Sequence, residues 1–336
     1  MRGYLSYLAQ RLAILAATII ISMTIVFVVP RLVPGDPMGA ILAKLSAVGA
    51  GRGSEALIQD YMERFGLNKP IWQQYIDYLT QLAQGNLGYS IANFPARVSD
   101  LIFSALPWTI GLLLTTTIVS WIIGSVLGAI VGWRESNSLP VRAAVVLALI
   151  AYTTPYYILA ILLLFAFAFL VPIFPLAGAF QVGAQQEFSL SFILDVLWHA
   201  TLPALSIILV SLGWWFLSMR SLITSVKGED YILWAEAKGL SPRRILWAYG
   251  FRNALLPQAT GLALSLGYLV GGALVTEVIF GYPGVGWLIF NSIKGLDYPV
   301  IQGSVLLIII SVAIVNFLLD LIYPLLDPRI RQGQAG

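Results

Sequence analysis

The chain has no cysteine and a single histidine in 336 residues. Disulfides, thiolate catalysis and cysteine metal sites are therefore excluded, as are zinc motifs built on a pair of histidines. Charge is scarce as well. Asp, Glu, Lys and Arg make up 10% of the residues, against roughly 25% in soluble globular chains. No Gly-Lys dipeptide occurs anywhere, so the Gly-x-x-x-x-Gly-Lys-Ser/Thr loop that cradles nucleotide phosphates is absent. If ATP drives this protein, another subunit must bind it.

What remains is apolar. Hydrophobic residues make up 59% of the chain, with a mean hydropathy of +0.85. This composition belongs to an integral membrane protein. Six runs approach the roughly 20 residues that cross a bilayer as a helix: 12–30, 107–133, 143–171, 200–219, 258–280 and 303–326. Residues 1–37 read as an N-terminal tail with the first span and 38–106 as an extracytoplasmic helical segment. Residues 107–336 read as a five-helix core with a loop at 220–257. Within 38–106, Ser54 to Phe65 and Ile71 to Ala83 read as amphipathic helices. Pro155 lies inside the third run and predicts a kink. Gly124 and Gly128 form a small-x-x-x-small face suited to close helix contact.

The basic residues report topology. Arg2, Arg11, Arg134, Arg142, Arg220, Lys227, Lys238, Arg243, Arg244, Arg252, Arg329 and Arg331 fall on one side of these spans, and Lys294 alone falls in the two short loops of the other. Short cytoplasmic loops collect Lys and Arg, so both termini are expected inside the cell. The net charge of +3 thus reflects orientation and gives no argument for nucleic acid.

The loop reads YILWAEAKGLSPRRILWAYGFRNALLP from Tyr231 to Pro257. Gly239 ends a short helix after Lys238, a cation at the C-terminal end. Ser241 and Pro242 restart the chain as N-cap and first helical residue. Ala235-x-x-x-Gly239 and the segment Arg252-Asn253-Ala254-Leu255-Leu256-Pro257 resemble the cytoplasmic Glu-Ala-Ala loop of ABC-transporter permeases. In wording they are similar to the B-type subunit of the dipeptide/oligopeptide/nickel importer family. Leu233 and Trp234 stand where the general motif has Glu and the first Ala, and Glu236 is not the motif glutamate. The phrases Leu-Val-Pro-Gly-Asp-Pro after span one, Gly-Tyr-Pro-Gly-Val-Gly-Trp at 281–287 and Asp-Tyr-Pro-Val-Ile-Gln-Gly at 297–303 extend the resemblance over most of the chain.

That resemblance implies an all-α transport subunit of an ATP-driven importer in the inner membrane. It implies a homologous second permease, two ATPase subunits that hold ATP and Mg, and an extracytoplasmic solute-binding protein that delivers peptides, oligosaccharides or nickel. The loop would couple to the ATPase through Tyr231, Ala235, Glu236, Lys238, Gly239 and Ser241.

Other residues are candidates on chemistry alone. Glu277 is the one acid of the fifth run, and intramembrane acids are costly enough to mark function or a structural anchor. Trp214, Trp215 and Met219 cluster near the inner end of the fourth run, either as interfacial anchors or as walls of a translocation path. Asn316 and Asp320 share a helix face. His199 and Ser206 lie seven residues apart, too far along a helix to pair as base and nucleophile. No catalytic or metal residue is expected. An ion-coupled secondary transporter is the alternative, but such folds show inverted repeats and midplane charges, and neither is evident.

Overall fold

The computed structural model describes residues 2–32, 65–66, 68–134, 138–184, 187, 189–267 and 274–326. The elements among them are helical: α1 (Arg2–Leu32), α2 (Ile71–Ala83), α3 (Val98–Trp133), α4 (Leu139–Thr153), α5 (Tyr156–Leu164), α6 (Leu190–Val226), α7 (Asp230–Ala237), α8 (Pro242–Ile245), α9 (Arg252–Gly267), α10 (Leu274–Ile279), α11 (Val285–Lys294) and α12 (Tyr298–Leu326). Wide π-helical turns at Phe165–Leu170 and Leu246–Phe251 continue α5 and α8. The predicted helix over Ser54 to Phe65 lies outside the described residues, apart from Phe65.

Four helices among the described residues are long and apolar enough to cross a membrane: Tyr7–Leu32, Val98–Trp133, Leu190–Val226 and Tyr298–Leu318. All four begin before the predicted spans, α3 and α6 by the most. The apolar run marks only the part of a helix that meets hydrocarbon, and α3 and α6 continue past it, carrying Pro107 and Pro203 inside. The predicted fifth run, 258–280, comprises the end of α9 and all of α10, with 268–273 outside the described residues.

The third run differs from a single kinked helix. It is two helices, α4 and the α5 stretch, bent by 98° at the break. Pro155 has no N–H to donate and its ring pushes the preceding residue out of the helical region. Thr154 accordingly sits at φ −80° and ψ 124°. The Thr154 hydroxyl donates to the Ile150 carbonyl at 2.7 Å, so the broken end of α4 keeps a hydrogen-bond partner.

The chain forms two compact units. One holds α1, α2, α3 up to Thr109, α11 and α12. In it α1 and α11 both pack on α12. Val98, Ile102 and Val300 form one buried cluster, and Ala105, Val285 and Ile289 another. The Thr109 hydroxyl accepts a hydrogen bond from the Val285 N–H at 2.8 Å. Asp297, fully buried, ties down the stretch before α3. Its carboxylate accepts from the Ser90 hydroxyl, from Ile91 N–H at 3.0 Å and from Ala92 N–H at 3.1 Å. A buried carboxylate is stable when its lone pairs are filled in this way.

The other unit holds α3 from Ile110, α4 to α9 and residues 275–282. Here α6 is approached on two sides. A Cβ on Gly124 would lie 2.6 Å from the Trp215 Cβ, one on Gly128 would strike the Phe216 carbonyl, and one on Gly132 would lie 2.9 Å from the Arg220 carbonyl. Three glycines a turn apart thus let α3 lie on the α6 backbone. Gly213 does the same for α4, where a Cβ would lie 2.6 Å from the Ala148 carbonyl.

Gly128→Ala should lower stability by about 1–3 kcal/mol through overpacking. Gly111→Ala, in the same helix with nothing within 4 Å of a new Cβ, should be neutral or stabilising by up to about 1 kcal/mol. Thermal unfolding of both in nanodiscs checks the contrast, and equal effects would refute the close contact. Asp297→Ala strands its three donors and should cost about 3 kcal/mol, read in the same assay.

Candidate functional site

The loop after α6 is built from its hidden face outward. Ile232 and Ala235 of α7 are buried with Ile245 of α8, and Trp133, Val226, Leu240 and Tyr249 close over them. Inward positions three apart on a helix leave the residues between them facing out. Leu233 and Trp234 are accordingly exposed, at 56% and 69%.

The α7 end is a Schellman cap. Gly239 N–H donates to the Glu236 carbonyl at 2.8 Å and Leu240 N–H to the Ala235 carbonyl at 3.3 Å. Gly239 takes φ +73°, the left-handed conformation such a cap requires, and Leu240 supplies the hydrophobic contact. Ser241 occupies the N-cap of α8 with Pro242 behind it, but its side chain makes no capping bond.

The predicted loop residues therefore divide. Glu236, Lys238, Gly239 and Ser241 are exposed; Ala235 faces inward and sets how closely α7 approaches α8. Tyr231 is half-buried and takes a side-chain hydrogen bond from Asn253. Desolvation lifts its phenol above the usual range, against that bond and with help from Glu229. Sequence reasoning passed over Leu233 and Trp234 because they break the family motif. The helical period, with Ile232 and Ala235 inward, was the signal that could have found them.

The aromatic cluster on α6 also divides. Trp215 and Met219 are buried, spent on the packing of α3: Trp215 lies over Gly124, and Met219 joins Ala129, Ile223, Leu246 and Ala254 in a core. The Trp215 carbonyl accepts from the Gln258 side chain at 3.3 Å. Trp214 alone of the three is exposed, against Tyr152 at 5.7 Å between ring centroids.

Glu277 is fully buried in α10. Its backbone carbonyl accepts from Tyr282 N–H at 2.8 Å. Burial, reinforced by the Glu277 charge, holds the Tyr282 phenol at about 12, so it stays protonated at any physiological pH. His199 pairs through Nδ1 with the Asp195 carboxylate at 3.1 Å, while Ser206 donates to the Pro203 carbonyl at 2.7 Å. The two are separately engaged. Among the described residues no group of three or more His, Asp or Glu could hold a metal ion. The side chain of Asp320 lies outside the described set.

Residues 124–332, which include the whole of this loop, match the family described as binding-protein-dependent transport system inner membrane component. The chain belongs to this family. Over 340 residues this permease is 32% identical to a di/tripeptide transport system permease protein of Pseudomonas aeruginosa, covering 97% of this chain and 99% of that protein. It is 31% identical over 326 residues to an oligopeptide transport system permease protein of Bacillus subtilis, and 31% identical over 345 residues to a dipeptide transport system permease protein of Escherichia coli. Both alignments again cover 97% of this chain and 99% of the relative. The permease is a multi-pass membrane subunit of an ABC transporter.

Gly239→Ala should weaken the α7 cap by about 1 kcal/mol, because the strain is one of φ alone and the added Cβ meets nothing within 4 Å. Gly239→Asn, which tolerates the left-handed region, should cost less. Hydrogen exchange at Leu240 N–H measures both.

Proposed function

We propose that this permease is one of two homologous six-span subunits that form the translocation path of an ATP-driven importer for short peptides. Its proposed partners are two ATPase subunits holding Mg-ATP and an extracytoplasmic binding protein. The predicted fifth run, 258–280, counts as a span in this reading, and both termini are cytoplasmic, as the sorting of Arg and Lys supports. Near full-length likeness to permeases named for dipeptides, tripeptides and oligopeptides carries the peptide assignment.

The loop supplies the mechanism. Residues 220–257 couple to the ATPase: Ile232 and Ala235 fix α7 to the permease, while Leu233, Trp234, Glu236 and Lys238 present a surface to the partner. ATPase closure would push α7 and, through Tyr231 and the cluster around Trp133, the cytoplasmic ends of α3 and α6. Trp214 and Glu277 are the residues of the α6 and α10 segments proposed to act near the path, Glu277 by anchoring the outer turn.

The complex, co-expressed with its ATPases and placed in nanodiscs, should hydrolyse ATP faster when the binding protein and peptide are added. Trp234→Glu should cut that stimulated rate by about tenfold or more, as removal of a buried aromatic anchor does at other interfaces, and lower ATPase recovery on the tagged permease. Peptide uptake by this chain without any ATPase would overturn the reading in favour of an ion-coupled transporter.

A further inference from the structure

Two arginines bracket the apolar part of α1. Residues 12–30 carry no charge, and Arg11 and Arg31 stand twenty residues apart. At a helical rise of ~1.5 Å per residue this is about 30 Å, the thickness of a hydrocarbon core. Arg31 therefore marks the level at which α1 leaves the bilayer.

α2 is fastened to α1 at that level. The Arg31 guanidinium lies over the Phe27 ring and donates to the Gln74 side-chain oxygen at 3.0 Å. Tyr75 and Tyr78 meet the Phe27 ring at 5.0 and 5.5 Å between centroids. The Tyr75 hydroxyl shares a hydrogen bond of 2.8 Å with the hydroxyl of Thr24, which lies about 10 Å deeper along α1 than Arg31. The attachments of α2 thus run back along the last turns of the apolar stretch. Over the same turns α1 leaves Ile25, Val28 and Val29 exposed, so lipid reaches α1 at the depth where α2 is held.

Beside the face that meets α1, α2 has two others. At about 3.6 residues per turn, Trp72, Ile76, Leu79 and Ala83 fall on one stripe, and Gln73, Asp77 and Gln81 on another. Trp72 is 62% exposed and Ile76 52%. Asp77, the one charge of α2, pairs with Lys69 at 2.7 Å, with both side chains about half exposed. A bare apolar stripe that includes a tryptophan, with the polar groups turned away from it, is the form of a helix that lies in the membrane–water boundary.

We propose that α2 lies in the membrane interface at the C-terminal end of α1, with Trp72 and Ile76 inserted among the lipid headgroups and upper acyl chains. The occupant of the stripe is the lipid surface itself, because the depth of the Thr24 contact sets the stripe at the bilayer edge. Gln73, Asp77 and Gln81 then face water. Through Phe27 and Arg31 the arrangement fixes how deeply α1 sits in the bilayer. It goes beyond the importer reading and needs only that α1 crosses the membrane.

The lack of cysteine allows a direct test. Trp72→Cys, Ile76→Cys, Gln73→Cys and Gln81→Cys are made singly in the full-length chain, labelled with a nitroxide and placed in phosphatidylcholine nanodiscs. None of the four side chains is buried, so the labels leave the core intact. Paramagnetic resonance compares relaxation by oxygen, which concentrates in lipid, with relaxation by a water-soluble paramagnetic chelate. Labels at 72 and 76 should respond more to oxygen and report an immersion of about 5–10 Å, the usual depth of an interfacial helix. Labels at 73 and 81 should show the reverse. The same readings should hold in the complex co-expressed with its partner subunits, against a blank complex that carries the cysteine-free chain. Adding Ile76→Asp to Trp72→Cys should shift the label toward the chelate response, and adding Gln73→Asp should not. Four labels that respond alike, in either sense, overturn the proposal, as do equal shifts from the two added acids. Labels at 72 and 76 shielded from both reagents, in the chain alone or in the complex, overturn it too and assign the stripe to a protein surface.

Discussion

Inside a bilayer an apolar side chain gains little by exchanging lipid for protein, so helices are held together by close approach and by polar contacts. The α3 glycines against the α6 backbone supply that approach, and the loop after α6 depends on it. Trp133 ends α3 and Val226 ends α6, and both enter the cluster that buries Ile232, Ala235 and Ile245. Lys227 lies 5.4 Å over the Trp133 ring. A Cβ on Gly250, in the π turn after α8, would come within 3.1 Å of the same ring. The loop thus reads the separation of two long helices through a single indole. A residue with a side chain at Gly128 or Gly132 would move that indole before it touched any loop residue.

The broken third run follows from the same economy. A helix pair bent by 98° exposes backbone groups, which is tolerated at membrane depth only where they find partners. Thr153 and Thr154 return their hydroxyls to the carbonyls of Leu149 and Ile150, and Gly213 lets α4 settle on α6 just below the break. At the far end of the α5 stretch, Ala160 and Ala168 pack with Leu202 and Phe280, and Gly178 N–H donates to the Phe280 carbonyl at 2.8 Å. Small residues again stand where backbones meet.

Much of this was legible in the chain. The hydrophobic runs locate α1, α3, α6 and α12, and the three-and-four spacing of Trp72, Tyr75, Ile76 and Leu79 locates α2. The Gly124 and Gly128 spacing announces close contact, and Gly239 announces the end of α7. What was hidden has physical causes. Helix ends at Val98 and Leu190 lie beyond the apolar runs, because hydropathy reports the solvent of a residue and not its backbone. Pro155 signals interruption, but the angle depends on what packs on either side. Trp215 and Met219 read as interfacial anchors or as path walls, and their burial against α3 was hidden because composition cannot say which face of α6 meets glycine. Asp297 read as one member of a family phrase; its partners, Ser90, Ile91 and Ala92, are two hundred residues away in sequence.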